Sequence, residues 1–136
     1  MKKEKVDNFL KSIKSMKASY DYIFTTDINN TPCITAKKQE IQDKLSNIDI
    51  SRIIVVIKEI ESWYLAGSGE KYSKNISNTD SISKEQFNNF IPKKFDSRID
   101  FMLEILKYFR IEMAKHKNKS FRYFVDKYNC NVFKTI

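Results

Sequence analysis

The chain has 136 residues, with 25 Lys and Arg against 17 Asp and Glu, for a net charge of +8 at neutral pH. Hydrophobic residues make up 41%, and there are only 2 glycines and 2 prolines, which excludes a disordered chain, a collagen-like repeat and a Pro-rich linker and fits one domain with a modest core. The basic excess admits nucleic acid or an anionic surface as a partner without requiring either, because lysines also keep a surface soluble.

In chain order, Val6, Phe9, Leu10, Ile13, Met16 and Lys17 share one helical face with lysines on the others, predicting a helix over about 3–18. Tyr22 to Thr26 is short, aromatic and β-branched, and reads as a strand. The turn-forming run Asp27 to Pro32 ends it. Cys33-Ile34-Thr35 reads as a short extended piece, with Thr35 capping a helix from Ala36 to about Leu45. Asn47 to Asp49 is an exit loop. Arg52 to Lys58 carries five consecutive apolar residues, Ile53 to Ile57, and reads as a strand buried on both faces.

Strand, helix, strand is the βαβ unit, so the two strands are expected to be parallel, with sites at the edge where both strands end. Asp27 follows the first strand and Glu59 the second, which brings two distant carboxylates to one edge. Glu61 opens a helix containing Trp63, Leu65 and Ala66 and ended by Gly67 and Gly69. Glu70 to Ser83 is polar and reads as a surface loop. Ser83 to Gln86 is a helix start with Phe87, Phe90 and Ile91 on its apolar side, stopped by Pro92. Asp96 or Ser97 caps the next helix, whose Ile99, Met102, Leu103, Ile105, Leu106 and Phe109 surround much of its circumference and mark a central packing element. A short turn over Ile111 to Ala114 and a last helix over Lys119 to Tyr128 follow. The expected fold is α/β, a single domain over 1–136: a small, mostly parallel sheet with flanking helices and a helix-rich portion over about 83–128.

No run approaches the ~20 apolar residues of a membrane span, and the basic N-terminal stretch lacks the apolar core and cleavage site of a signal peptide. The expected location is cytoplasmic. Cys33 and Cys130 form no CxxC pair and read as thiols. One histidine, His116, and two separated cysteines disfavour zinc. Ser-His-Asp spacing, GxxxxGK[ST] and GxGxxG are all absent.

Three phrases carry a resemblance: Thr26-Asp27-Ile28-Asn29 with Pro32 to Thr35 and Lys38; Val55 to Ala66, where an acidic pair precedes Trp63-Tyr64-Leu65-Ala66; and Asn118-Lys119-Ser120-Phe121 with Phe124. Together they resemble an uncharacterised TOPRIM-like family related to the nuclease domains of OLD-type proteins. The resemblance spans about residues 20–128. It implies a Mg²⁺ or Mn²⁺ site for phosphodiester chemistry, with Asp27, Glu59 and Glu61 as catalytic acids and metal ligands and Asn29 as an auxiliary ligand. Such an ion takes oxygen ligands and polarises a phosphoryl oxygen or activates water. Two features depart from the family pattern: Asn29 stands where the family has a second Asp, and no strand with its glutamate precedes the first helix.

The same residues have plainer readings. Asp27 and Asn29 are common turn formers. Glu59 and Glu61 complement a helix N-terminus, and two residues apart they share a face only if the backbone is extended. Trp63 reads as a core anchor. In the basic, aromatic tail, Phe109, Phe121 and Phe124 read as core, while Lys117, Lys119, Arg122 and Tyr123 are candidates to meet a nucleic-acid backbone and stack bases. Lys37, Lys38 and Lys58 are further candidates for phosphate. The resemblance therefore implies a metal-dependent nuclease of a defence or mobile-element system acting on DNA or RNA. The sequence also supports a non-catalytic nucleic-acid- or protein-binding module, or a chain whose open sheet edge pairs with a partner or a second copy.

Overall fold

The structure, a computed structural model, describes residues 2–16 and 21–128. Lys17, Cys130 and the expected end of the first helix lie outside the described residues. The chain packs as two compact units, Met1–Val55 and Val56–Ile136.

The first unit is α/β. Helix α1 (Lys3–Ser15) buries Leu10. Val6 joins it, but Phe9 and Met16 are exposed, so the apolar face is narrower than the sequence pattern suggests. Asp7 ties the helix down: its carboxylate accepts the Asn47 N–H at 2.8 Å and the Ser46 hydroxyl at 3.0 Å. Chiefly through the Asn47 bond, this holds the Asp7 carboxyl below its ordinary pKa.

Strands β1 (Phe24–Asp27) and β2 (Ile53–Val56) form a two-stranded parallel sheet. Helix α2 (Ile34–Lys44) lies between them in sequence, as the βαβ pattern requires. All four β2 residues are buried. Ile53 and Val55 join Leu10, Ile41, Leu45 and Ile48 in one apolar cluster, with Phe24 and Ile28 packed against it.

The boundaries differ from expectation for local reasons. Tyr22 is not in the strand; its hydroxyl accepts the Asp49 N–H at 2.8 Å and pins the loop before β2. Cys33, not Thr35, caps α2, its sulfur accepting the Ala36 N–H at 3.4 Å. Ile34 and Thr35 are therefore helical rather than extended. Arg52 ends a 3-10 turn over Ile50–Arg52, capped by Asp49, and β2 starts only at Ile53.

The second unit is helical: α3 (Glu61–Ala66), α4 (Glu70–Ser73), α5 (Lys84–Asn88), α6 (Arg98–Lys107), α7 (Ile111–Lys117) and α8 (Lys119–Tyr128). Its centre is Leu65, Phe87, Phe101 and Ile105, bordered by Tyr64, Tyr72, Phe95 and Phe109. Ser83 and Gln86 form the expected capping box on α5, and Ser97 caps α6 through the Asp100 N–H.

Two expectations are corrected here. The 70–83 stretch is not simply a surface loop: it contains α4 and buries Ser73 and Thr79, because Lys117 and Asn118 take up their polar groups. Helix α6 does not pack all round. It buries Phe101 and Ile105 but leaves Ile99, Leu103 and Leu106 more than half exposed.

Candidate nucleic-acid interface

The four residues expected to gather around a metal are divided between the units. Asp27 is the last residue of β1 and is half-buried. Asn29 is exposed with φ 51, the left-handed conformation that asparagine tolerates in turns. In the second unit, Glu59 and Glu61 follow Lys58, a non-glycine residue in the left-handed region at φ 73. Ile60 is already helical at φ −60, ψ −27. The backbone between the two glutamates is therefore not extended, and the condition for their sharing a face is not met.

Each glutamate has its own protein partner. Glu59 Oε2 accepts the N–H of Lys84, the first residue of α5, at 3.2 Å. Glu61, buried at 7% exposure, has Oε1 3.6 Å from the Nε of Arg98, the first residue of α6. Both carboxylates sit where helix N-termini favour negative charge. Within the described residues, no group of three or more His, Cys, Asp or Glu side chains is assembled to hold a metal. A guanidinium beside Glu61 also opposes a divalent cation there, so the glutamate pair of the second unit does not fit a Mg²⁺ or Mn²⁺ site.

The basic candidates divide in the same way. Lys37 is 6% exposed and donates to Glu40 Oε2 at 3.1 Å. It fills space in the first unit rather than facing phosphate. Lys117 also turns inward, its Nζ donating to the carbonyl and hydroxyl oxygens of Ser73 at 2.7 and 3.1 Å. Burial lowers its ammonium pKa, and only Glu70 opposes that shift. Lys38 is half-buried, and Lys58 stands exposed.

Helix α8 is different, and Asn118 explains where it starts. Asn118 is 1% exposed. Its Oδ1 accepts the Phe121 N–H at 2.9 Å, an N-cap bond, and also the Ser120 hydroxyl at 2.9 Å. Its Nδ2 donates to Ser62 Oγ at 3.2 Å and Thr79 Oγ1 at 3.0 Å. Ser120 Oγ in turn accepts the Trp63 indole N–H at 2.7 Å. Trp63, 7% exposed, packs edge-on to Phe121 at 5.3 Å between centroids and lies 5.4 Å from Phe124. It is the core anchor its sequence context indicated. Residues far apart in sequence, Ser62 and Trp63 on one side and Asn118 to Phe124 on the other, thus form one buried polar and aromatic junction that anchors the N-terminal end of α8.

Phe121 and Val125 are the buried side of α8. The opposite side shows Lys119, Arg122, Tyr123 and Lys127 to solvent, all exposed. At 3.6 residues per turn these four fall on one arc. Asp126 lies in the same arc but is paired with Lys115 Nζ at 3.3 Å, so the charge of the arc stays cationic. Lys127 Nζ is 5.8 Å from the Tyr123 ring centre, in cation–π range. Lys127 belongs to the basic, aromatic tail of the sequence, and its spacing of four from Tyr123 is the signal that places it beside the candidate contacts. Neither a protein-family model, nor a curated protein, nor a solved structure matches this chain.

Proposed function

We propose that the chain is a non-catalytic nucleic-acid-binding module whose second unit meets the phosphate backbone with the outer face of α8. The observation that carries this is the exposure of Lys119, Arg122 and Tyr123 on one side of a helix whose other side is fixed by Asn118 and Phe121. Cations on a rigid element lose little further freedom on binding phosphate, and a neighbouring aromatic ring offers a face for an unstacked base. The nuclease reading would need Asp27, Asn29, Glu59 and Glu61 to converge on a metal. With Glu59 on the Lys84 amide and Glu61 beside Arg98, binding is the function that the side chains favour.

The test is anisotropy of labelled DNA and RNA oligonucleotides titrated with the protein at several salt concentrations. Binding is expected to weaken steeply with salt, and Lys119→Ala and Arg122→Ala are each expected to reduce the salt slope by about 1. Asp27→Ala and Glu59→Ala are expected to leave affinity within experimental error. Absence of binding at low salt, or Mg²⁺-dependent cleavage abolished by Glu59→Ala, would overturn the proposal.

A further inference from the structure

We propose that the outer face of α6 is a self-association surface, which pairs antiparallel with the same face of a second copy of this chain. Ile99, Leu103 and Leu106 are 58%, 55% and 52% exposed. Their spacings of four and three place them in one stripe, roughly 10 Å long at 1.5 Å per residue, on the side of the helix away from Phe101 and Ile105. The helix itself is well made: Ser97 caps its start, and its inner residues sit in the centre of the unit. A contiguous apolar stripe on an ordered helix marks a protein contact more than chance exposure does.

The charges beside the stripe select the occupant. Asp100 and Lys107 are both exposed, one near each end of α6. Counted around the helix from Ile99, they fall at about 100° and 80°, on the same flank of the stripe. A two-fold axis that makes two helices antiparallel keeps each flank on its own side and exchanges the ends. Asp100 of one copy then faces Lys107 of the other, and the pair occurs twice. The helix dipoles are opposed as well, which is favourable. A parallel two-fold, which runs along the helix axes, would instead place the Asp100–Lys107 flanks of the two copies on opposite sides of the contact, where they do not meet. Among the described residues Lys107 pairs with Glu104, at 3.3 Å with the lysine 65% exposed, a surface pair weak enough to be shared. One ten-residue helix covers well under the ~800 Å² per partner of a standard interface, so the dimer is weak and forms at high concentration.

Sedimentation of the full chain from micromolar to millimolar concentration tests this. A monomer–dimer equilibrium is expected, with Leu103→Glu raising the dissociation constant at least about tenfold. Leu103 is exposed, so thermal unfolding should show that this variant still folds. Asp100→Lys and Lys107→Asp should each weaken the dimer, and the two together should restore it. In a single helix these residues are two turns apart and do not touch, so restoration reports contact between copies. A monomer at every concentration, or a dimer indifferent to Leu103→Glu, overturns the proposal. Failure of the double swap to restore association overturns the antiparallel pairing.

Discussion

Asn118 spends both ends of its amide inside the second unit, on Ser62, Thr79, Ser120 and the Phe121 N–H. A buried polar group that loses its partner costs about 1–3 kcal/mol, and several groups lose theirs together here. Asn118→Ala is therefore expected to destabilise the protein by about 3 kcal/mol or more, measured by denaturant unfolding, with loss of the near-ultraviolet signal of Trp63. Glu40 makes a pH prediction. Hydrogen bonds from Lys44 and Lys37, with their positive charges, lower its carboxyl pKa from 4.5 to about 2. A pKa lowered by folding contributes stability that is present above the ordinary value and is lost as pH falls through the folded one. The Glu40 carboxyl signal should titrate near 2, and the melting difference between the native chain and Glu40→Gln should shrink as pH falls from 4.5 to about 2. A midpoint near 4.5 would show that these pairs do not hold in solution.

Among the elements, α3 shows how tightly a short helix can be specified. It spans six residues and buries five of them, far too short to be stable alone. It persists through Trp63 and through Gly67, which ends it and lies under the ring of Phe109. The backbone of Gly67 is ordinary, at φ −93, so its need for glycine is steric rather than conformational. A methyl group there would enter the Phe109 ring, which is itself packed 5.5 Å from Phe121 between centroids. Gly67→Ala is expected to cost about 1–3 kcal/mol, as overpacked cores do, read as a lowered melting temperature. Gly67→Ala with Phe109→Leu should recover part of that loss. Helix α8 is the contrasting case, long enough to keep one side for the core and another exposed to solvent.

For the whole molecule, the net charge of +8 makes association with a polyanion long-ranged and salt-sensitive. It does not by itself choose a surface. Inward-turned lysines such as Lys37 and Lys117 add to the total without being offered to phosphate, which is why the slope lost on mutating α8 tests the proposal better than overall affinity. No helix among the described residues is long and apolar enough to cross a membrane.

Much of the fold was legible in the sequence. The βαβ order came from one apolar run and one helical spacing, and the starts of α5 and α6 came from capping chemistry that acts within four residues, whereas the Asn118 cap of α8 emerged only with the structure. Those signals are local, so the chain states them directly. What only the tertiary structure decided was the destination of polar groups that travel far. The Glu59–Glu61 spacing could not reveal that the backbone is already helical at Ile60 and that the two carboxylates meet different helices. Nor could the lysine count show which cations face inward, because burial depends on partners such as Glu40 and Ser73. Composition alone likewise could not show that α6 buries one face and leaves another apolar face bare. That depends on how many neighbours the fold supplies, a quantity that exists only once the helices have packed.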